Sequence, residues 1–261
     1  MPADSQRIAA RPDRVAPGGA MQPVAVPLPS REPVVLSWSG GKDSALALAR
    51  LRDDPGIEVA GLLTTVTAGY DWVSIHGVRR SLLHAQAEAL GLPLQEVTLA
   101  PESTNEAYDA ALATALGELR ARMPGVKRLA FGDIFLEDVR RYREERVEAL
   151  GFGALFPLWG EATRDLAREV FASGIVARLV CVDTRVLPAA FAGRPYDAAL
   201  LAELPANVDP CGERGEFHTF VSAGPGFRHP VPYTVGEVVL RMERFAFCDL
   251  LPAGLEWGGA P

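Results

Sequence analysis

Between residues 34 and 134 short apolar runs and helix-length amphipathic segments take turns, and that alternation leaves few folds open. Val34-Val35-Leu36-Ser37-Trp38 reads as a strand, and residues 43–51 read as a helix that is apolar nearly all round. A second strand follows at 57–66. Val78, Leu82, Ala85 and Ala89 then mark one face of a helix that Gly91 ends. A third strand at 94–99, a helix carried by Tyr108, Leu112, Ala115, Leu119 and Met123, and a fourth strand at 126–134 complete the series. Strands separated by helices need crossover connections, and these favour a doubly wound parallel sheet covered on both faces.

The second half is less regular. Helices are expected at 137–150 and 161–173, and strands at 175–186, 216–221 and 235–247. The pattern predicts a Rossmann-like α/β domain over residues 33–135 and a smaller C-terminal α+β domain over 136–250, with a break near Phe135. Residues 1–32, rich in Pro, Ala, Gly and Arg without periodicity, read as a disordered tail, with Met21 an alternative start; residues 251–261 read as a second tail.

Composition narrows the function classes. Net charge is −7 over 261 residues, which works against binding nucleic-acid phosphates. The three cysteines, Cys181, Cys211 and Cys248, are isolated, so neither a zinc ribbon nor a cysteine-held iron–sulfur cluster is expected. A sparse odd count fits a reducing compartment, and the apolar runs are strand-length, so a cytoplasmic protein with no membrane span is expected.

The densest chemistry lies between the first strand and the first helix, in Ser39-Gly40-Gly41-Lys42-Asp43-Ser44. A helix N-terminus offers open N–H groups and the positive end of its dipole, which favour an anion. Gly40 and Gly41 let a phosphate approach the backbone, Ser39 and Ser44 add hydroxyls, Lys42 adds a point charge, and Asp43 can hold magnesium. The Walker pattern is absent. In open parallel sheets ligands bind beyond the carboxyl ends of the strands, so Ser37 and Trp38, Thr64 and Thr65, and Gly132 and Asp133 are expected around one nucleotide, with Asp133 a second magnesium ligand. His76 is a further candidate for that cleft.

A second polar cluster, Cys211-Gly212-Glu213-Arg214-Gly215-Glu216-Phe217-His218-Thr219, opens a strand with more polar groups than packing requires. The loop matches the signature of the pyrophosphatase-loop ATPases. Taken with Gly132-Asp133-Ile134, Arg146-Val147-Glu148, Pro157-Leu158-Trp159-Gly160 and the Glu213 segment, it resembles the diphthine–ammonia ligase family over residues 34–247. The resemblance implies a ligase that adenylates a carboxylate with ATP and lets ammonia displace AMP. It implies ATP and Mg2+ on the loop, and the acid beside Arg146, Glu148, Gly215 and Thr219. Lys42 and Asp43 would act in adenylation. Glu213 or Glu216 would bind ammonium or accept its proton, with His218 the alternative base. Two departures stand out: Asp133 replaces an alanine, and His218 replaces a glutamate of the diphthamide-making pattern. The G-E-x-G-E-F-H-T form resembles a bacterial branch implicated in cobalamin salvage, which makes a corrinoid acid a candidate substrate beside a diphthine-bearing protein.

Two other readings remain: a tRNA-modifying pyrophosphatase-loop enzyme, and a non-catalytic nucleotide-binding regulator. Arg140, Arg141, Arg143 and Arg146 interleave with acidic residues, Glu137 four before Arg141, and read mostly as a solvated, self-neutralised helix face.

Overall fold

The structure is a computed structural model and describes residues 31–69, 77–101 and 103–253. The expected alternation is realised as β1 (Glu32–Ser37), α1 (Lys42–Asp53), β2 (Ile57–Thr67), α2 (Arg80–Leu90), β3 (Leu94–Leu99), α3 (Asn105–Arg122), β4 (Arg128–Ala130), α4 (Glu137–Ala149) and β5 (Gly153–Leu155). All neighbours in this sheet are parallel, in the order β3-β2-β1-β4-β5. The chain runs outward from β1 to β3 and then returns to β4, so the switch point lies between β1 and β4. That is where the loop after β1 and the Gly132–Asp133 turn after β4 meet.

The four apolar positions expected to face inward from the second helix, Val78, Leu82, Ala85 and Ala89, are all buried. Gly91 ends that helix in the left-handed conformation at φ +65°, with its N–H on the Glu88 carbonyl.

After α5 (Thr163–Ala172) the chain builds a second sheet from β6 (Val176–Asp183), a short α6 (Ala198–Glu203), β7 (Phe217–Ala223), β8 (Tyr233–Arg241) and β9 (Phe245–Pro252). Its order is β7-β6-β9-β8 and every pairing is antiparallel.

Two expectations need correction. The parallel sheet does not end near Phe135, because β5 joins it beside β4. Three residues make too short a run to register as a strand by periodicity. Residues 235–247 are two strands joined by a tight turn, not one. Met242 and Glu243 sit at φ +53° and +51°, and Arg244 N–H closes the turn on the Arg241 carbonyl. Neither residue is a usual occupant of such a turn, so nothing in the sequence marks it.

The two sheets share one hydrophobic core. Val34, Leu36 and Leu46 of the first half lie in the same buried cluster as Val180, Phe220 and Cys248 of the second. A separate cluster, with Val35, Leu116 and Leu129, lies under α3 and α4 on the opposite face of the parallel sheet. The second sheet therefore packs on the α1–α2 side, against the loop that follows β1.

Candidate active site

The loop after β1 is held by residues far away in sequence. Gln86 on α2 is fully buried; its amide nitrogen donates to the carbonyls of Gly40 (3.0 Å) and Val221 (2.6 Å), and its oxygen accepts from the Trp38 indole (2.9 Å). Val221 N–H closes the ring on the Gly40 carbonyl. A Cβ on Gly40 would stand 2.6 Å from Leu83, and the φ there is +78°, so glycine is required on both counts. Thr219 on β7 completes the brace: its hydroxyl accepts from the Lys42 N–H at 3.0 Å.

Lys42, the point charge of the loop, lies in the interior. It is only 2% exposed, its ammonium donating to both Asp43 oxygens (3.0 and 2.8 Å) and to the Cys211 carbonyl, with the Tyr196 and Phe217 rings each 5.4 Å away. Burial works against the charge on this lysine, but the acidic groups around it, Asp43 first, together outweigh it and the net shift is upward, so Lys42 is a cation at neutral pH. Burial pushes the Asp43 carboxyl up, against the pull of Lys42.

From the other side the turn before β7 closes over the loop. Asp209 caps it, accepting from the N–H groups of Cys211 (2.8 Å) and Glu213 (3.4 Å). Glu213 accepts from Ile134 N–H at 2.8 Å. Its carboxyl is pushed up to about 7, mainly by burial and further by the charges of Asp43 and Asp133, with the Ile134 N–H opposing. Between loop and turn lies a cleft of about 280 Å3, lined by Ser37, Ser39, Gly41 to Ser44, Gly132, Asp133, Arg143, Glu213, Gly215, His218 and Thr219, among others. A smaller apolar cavity of about 50 Å3 adjoins it through Ser37, Phe131 and Arg143, and runs under Thr65, Tyr108 and Arg146.

Residues 32–153, from β1 to the start of β5, match the family model described as Diphthamide synthase N-terminal domain. Relatives named diphthine–ammonia ligase align with most of the chain. The protein from Homo sapiens is 30% identical, across 77% of this chain and 83% of its own length. The one from Bos taurus is 30% identical, across 77% and 82%. The one from Schizosaccharomyces pombe is 26% identical, across 77% of this chain and 36% of its own, longer sequence. This chain belongs to the diphthine–ammonia ligase family.

Within a diphthine–ammonia ligase fold the expected residues sort into three groups. Ser37, Ser39, Gly41, Lys42, Asp43, Ser44, Gly132, Asp133, Glu213, Gly215, His218 and Thr219 are brought together around the one cleft. Thr65 and Arg146 belong to the adjoining cavity, where Arg146 pairs with Asp109 at 2.9 Å and lies over the Tyr142 ring. The remaining five, Glu216 among them, do other work. Trp38 and Gly40 are interior supports of the loop, and Thr64 is buried within β2. Glu148 is exposed on α4.

Glu216 also departs from expectation. It was read as a cleft carboxylate, but it is buried and turned into its own loop, accepting from Asp209 N–H (3.0 Å) and Arg214 N–H (2.9 Å). Gly132 was expected to admit the ligand; a Cβ there would instead lie 3.1 Å from Ser44 N and the Asp43 carbonyl carbon, so it admits the start of α1. His76 lies outside the described residues.

Sequence reasoning missed Gln86, Asp209 and Arg143. Arg143 was assigned to a solvated face, yet it turns inward to Asp133 at 2.8 Å and stacks on Phe131. The ion pair along α4 is Arg140–Glu144. A glutamine inside an otherwise apolar helical stripe is the one signal that could have exposed Gln86.

Among the described residues no three His, Cys, Asp or Glu side chains cluster as a metal site. Asp43 and Asp133 line one cleft, which suits an ion that arrives with phosphates better than a resident one, since Mg2+ commonly takes one or two carboxylates plus substrate oxygens.

Proposed function

We propose that this chain is an ATP-dependent carboxylate–ammonia ligase that forms AMP and pyrophosphate. The observation that carries the reading is that the α1 N-terminus, with cationic Lys42, and the Glu213 carboxylate, tuned to about 7, line the same cleft. The first arrangement suits a polyphosphate and the second a proton acceptor working near neutral pH.

In this reading the triphosphate rests on the residues 39–44 loop and the base enters the apolar cavity under Thr65 and Tyr108. Mg2+ held by Asp43 and Asp133 would neutralise charge on the departing pyrophosphate. An oxygen of the acid attacks the α-phosphorus and pyrophosphate leaves with the bonding pair. Ammonia then attacks the acyl carbon and AMP leaves; the surplus proton passes to Glu213. His218, on the same wall, faces the acid. Protein catalysis here is positioning and electrostatics, which the braced loop supplies without reorganisation.

The acid is a diphthine-bearing protein on the strength of the relatives' names. A corrinoid acid is the second candidate, favoured by His218 on the cleft wall where the diphthamide-making pattern has glutamate. The tRNA-modifying alternative loses ground in any form that needs a reactive thiol, because burial pushes the thiols of Cys181 and Cys211 up to about 12 and raises that of Cys248.

The test supplies ATP, ammonium and each acid in turn and reads AMP, pyrophosphate and amide. One acid should give the three products in equal amounts. ADP and phosphate as products, or no amide with either acid, would overturn the proposal.

A further inference from the structure

Among the described residues β8 is the edge of the second sheet, nine residues long, and it exposes apolar side chains on both faces. Cross-strand pairing fixes which residues share a side: Val235 lies opposite Leu250, Val238 opposite Cys248, and Leu240 opposite Ala246. The three β9 members are buried to 1% exposure or less, whereas their β8 partners are 48%, 48% and 57% exposed. The body that covers β9 therefore stops one strand short of the sheet's edge. On the other side Val239 is exposed as well, and Met242 protrudes at the turn beyond. Edge strands in proteins that remain monomeric are normally blunted by lysine, proline or repeated bulges. Here there is one irregularity, between Val235 and Val238, and no lysine or proline, and the two charged residues of the strand, Glu237 and Arg241, are of opposite sign.

We propose that β8 pairs antiparallel with β8 of a second copy of this chain, across a two-fold axis at Val239, to make one continuous sheet of eight strands. The charges on the strand select that axis. With Val239 opposite Val239, Val238 meets Leu240 on one face and Glu237 meets Arg241 on the other, and symmetry makes each contact twice. Glu237, Val239 and Arg241 line one groove with Phe247, over whose ring the Arg241 guanidinium lies, so the acid and the base are on the same side of the sheet. Moving the axis one residue toward Leu240 would set Glu237 against Glu243. Moving it the other way would set Glu237 against Val239 and Arg241 against Val235. The register at Val239 alone joins opposite charges and keeps apolar residues on apolar ones.

The experiment is sedimentation equilibrium of the full chain over a concentration series, with thermal unfolding beside it. The wild type should sediment as a dimer. Glu237→Arg and Arg241→Glu should each weaken dimerisation by about tenfold or more, because like charges then face each other twice. The double variant should recover most of that loss, and Val239→Lys, which sets two ammonium groups at the axis, should be monomeric. All three substituted positions are exposed, so the unfolding temperature of the monomer should hold. A wild type that stays monomeric at every concentration would overturn the proposal, and β8 amides protected from hydrogen exchange in that monomer would assign the strip to another part of the same chain. A dimer indifferent to the single charge reversals, or one the double reversal fails to restore, would overturn the register.

Discussion

The two turns that meet in the cleft are held by opposite means. The phosphate loop is braced from outside: Gln86 of α2, Thr219 and Val221 of β7, and the Cys211 carbonyl all bond to it. The acidic turn is shaped chiefly from within, by Asp209 and Glu216, members of the same short segment, with Tyr196 and Lys42 holding the carbonyls of Pro210 and Cys211 from outside. The second sheet is thus a working part of the proposed phosphate site, while the acidic turn presents Glu213 from its own fold. Damage to the first turn should spread into nucleotide binding. Damage to the second should separate cleanly into chemistry at Glu213 and stability at Glu216.

The largest effect should come from Lys42→Ala. It removes the cation of the loop and strands Asp43 and the Cys211 carbonyl, so AMP release should fall by about 10³-fold or more. The protein should also lose about 3 kcal/mol, the scale for breaking a buried pair by deleting one partner. Calorimetry of ATP binding with chemical denaturation reads both; wild-type stability with normal turnover would remove Lys42 from the centre of the site.

Glu213→Gln should cost about 10²-fold in amide formation while leaving ATP affinity within a few-fold. The sign with pH follows from the raised carboxyl. Its charged form is the acceptor, so wild-type activity should rise with pH through about 7, and the variant should lack that limb. Stability runs the other way. The native carboxyl holds its proton up to about 7 while the unfolded one releases it near 4.5, so the native state binds more protons in that window. Glu213 should therefore make wild-type stability decline as pH rises from about 4.5 to about 7, and the decline should be shallower in the glutamine variant. An unchanged pH–rate profile in the variant would assign the acceptor to another group, His218 first.

Thr219→Val tests the outside bracing. The variant keeps the shape but removes the acceptor for Lys42 N–H, so the KM for ATP should rise by about tenfold, with about 1 kcal/mol lost in stability. A rise in KM for the acid with ATP unaffected would make Thr219 the substrate-side residue that its family motif implies.

Why the sequence disclosed one turn and misread the other is a matter of range. The loop announces itself because Ser39 to Ser44 are contiguous and sit between a strand and a helix whose periodicities are plain. Its supports are invisible, since Gln86 and Thr219 stand 46 and 177 residues from Gly40 and Lys42, and no local pattern joins them. The parallel sheet was legible for the same local reason, except β5, which is too short. The second sheet was not: β8 and β9 merge into one apolar run because Met242 and Glu243 adopt a turn that their chemistry does not advertise. At the acidic turn the composition was right and the directions were not. Two glutamates three residues apart look equivalent in sequence, but with Gly215 at φ +85° between them the backbone turns Glu213 into the cleft and Glu216 into the turn.

The smallest expected effect is also the sharpest on that point. Glu216→Gln keeps one carbonyl oxygen for either Asp209 N–H or Arg214 N–H and sets an NH2 group against the other, two donors face to face. The site is buried, so the orphaned N–H finds no water, and the loss should be about 1–3 kcal/mol. Activity per folded molecule should stay within about threefold, because neither oxygen of Glu216 reaches the cleft and Glu213 is still tied to Ile134. Measured together, an unfolding transition shifted downward and an unchanged kcat would identify Glu216 as the clasp of the turn. The reverse result, stability intact and amide formation down by two orders of magnitude, would mean that Glu216 leaves its backbone partners during turnover. The division between a carboxylate that shapes the turn and one that serves the reaction would then fail.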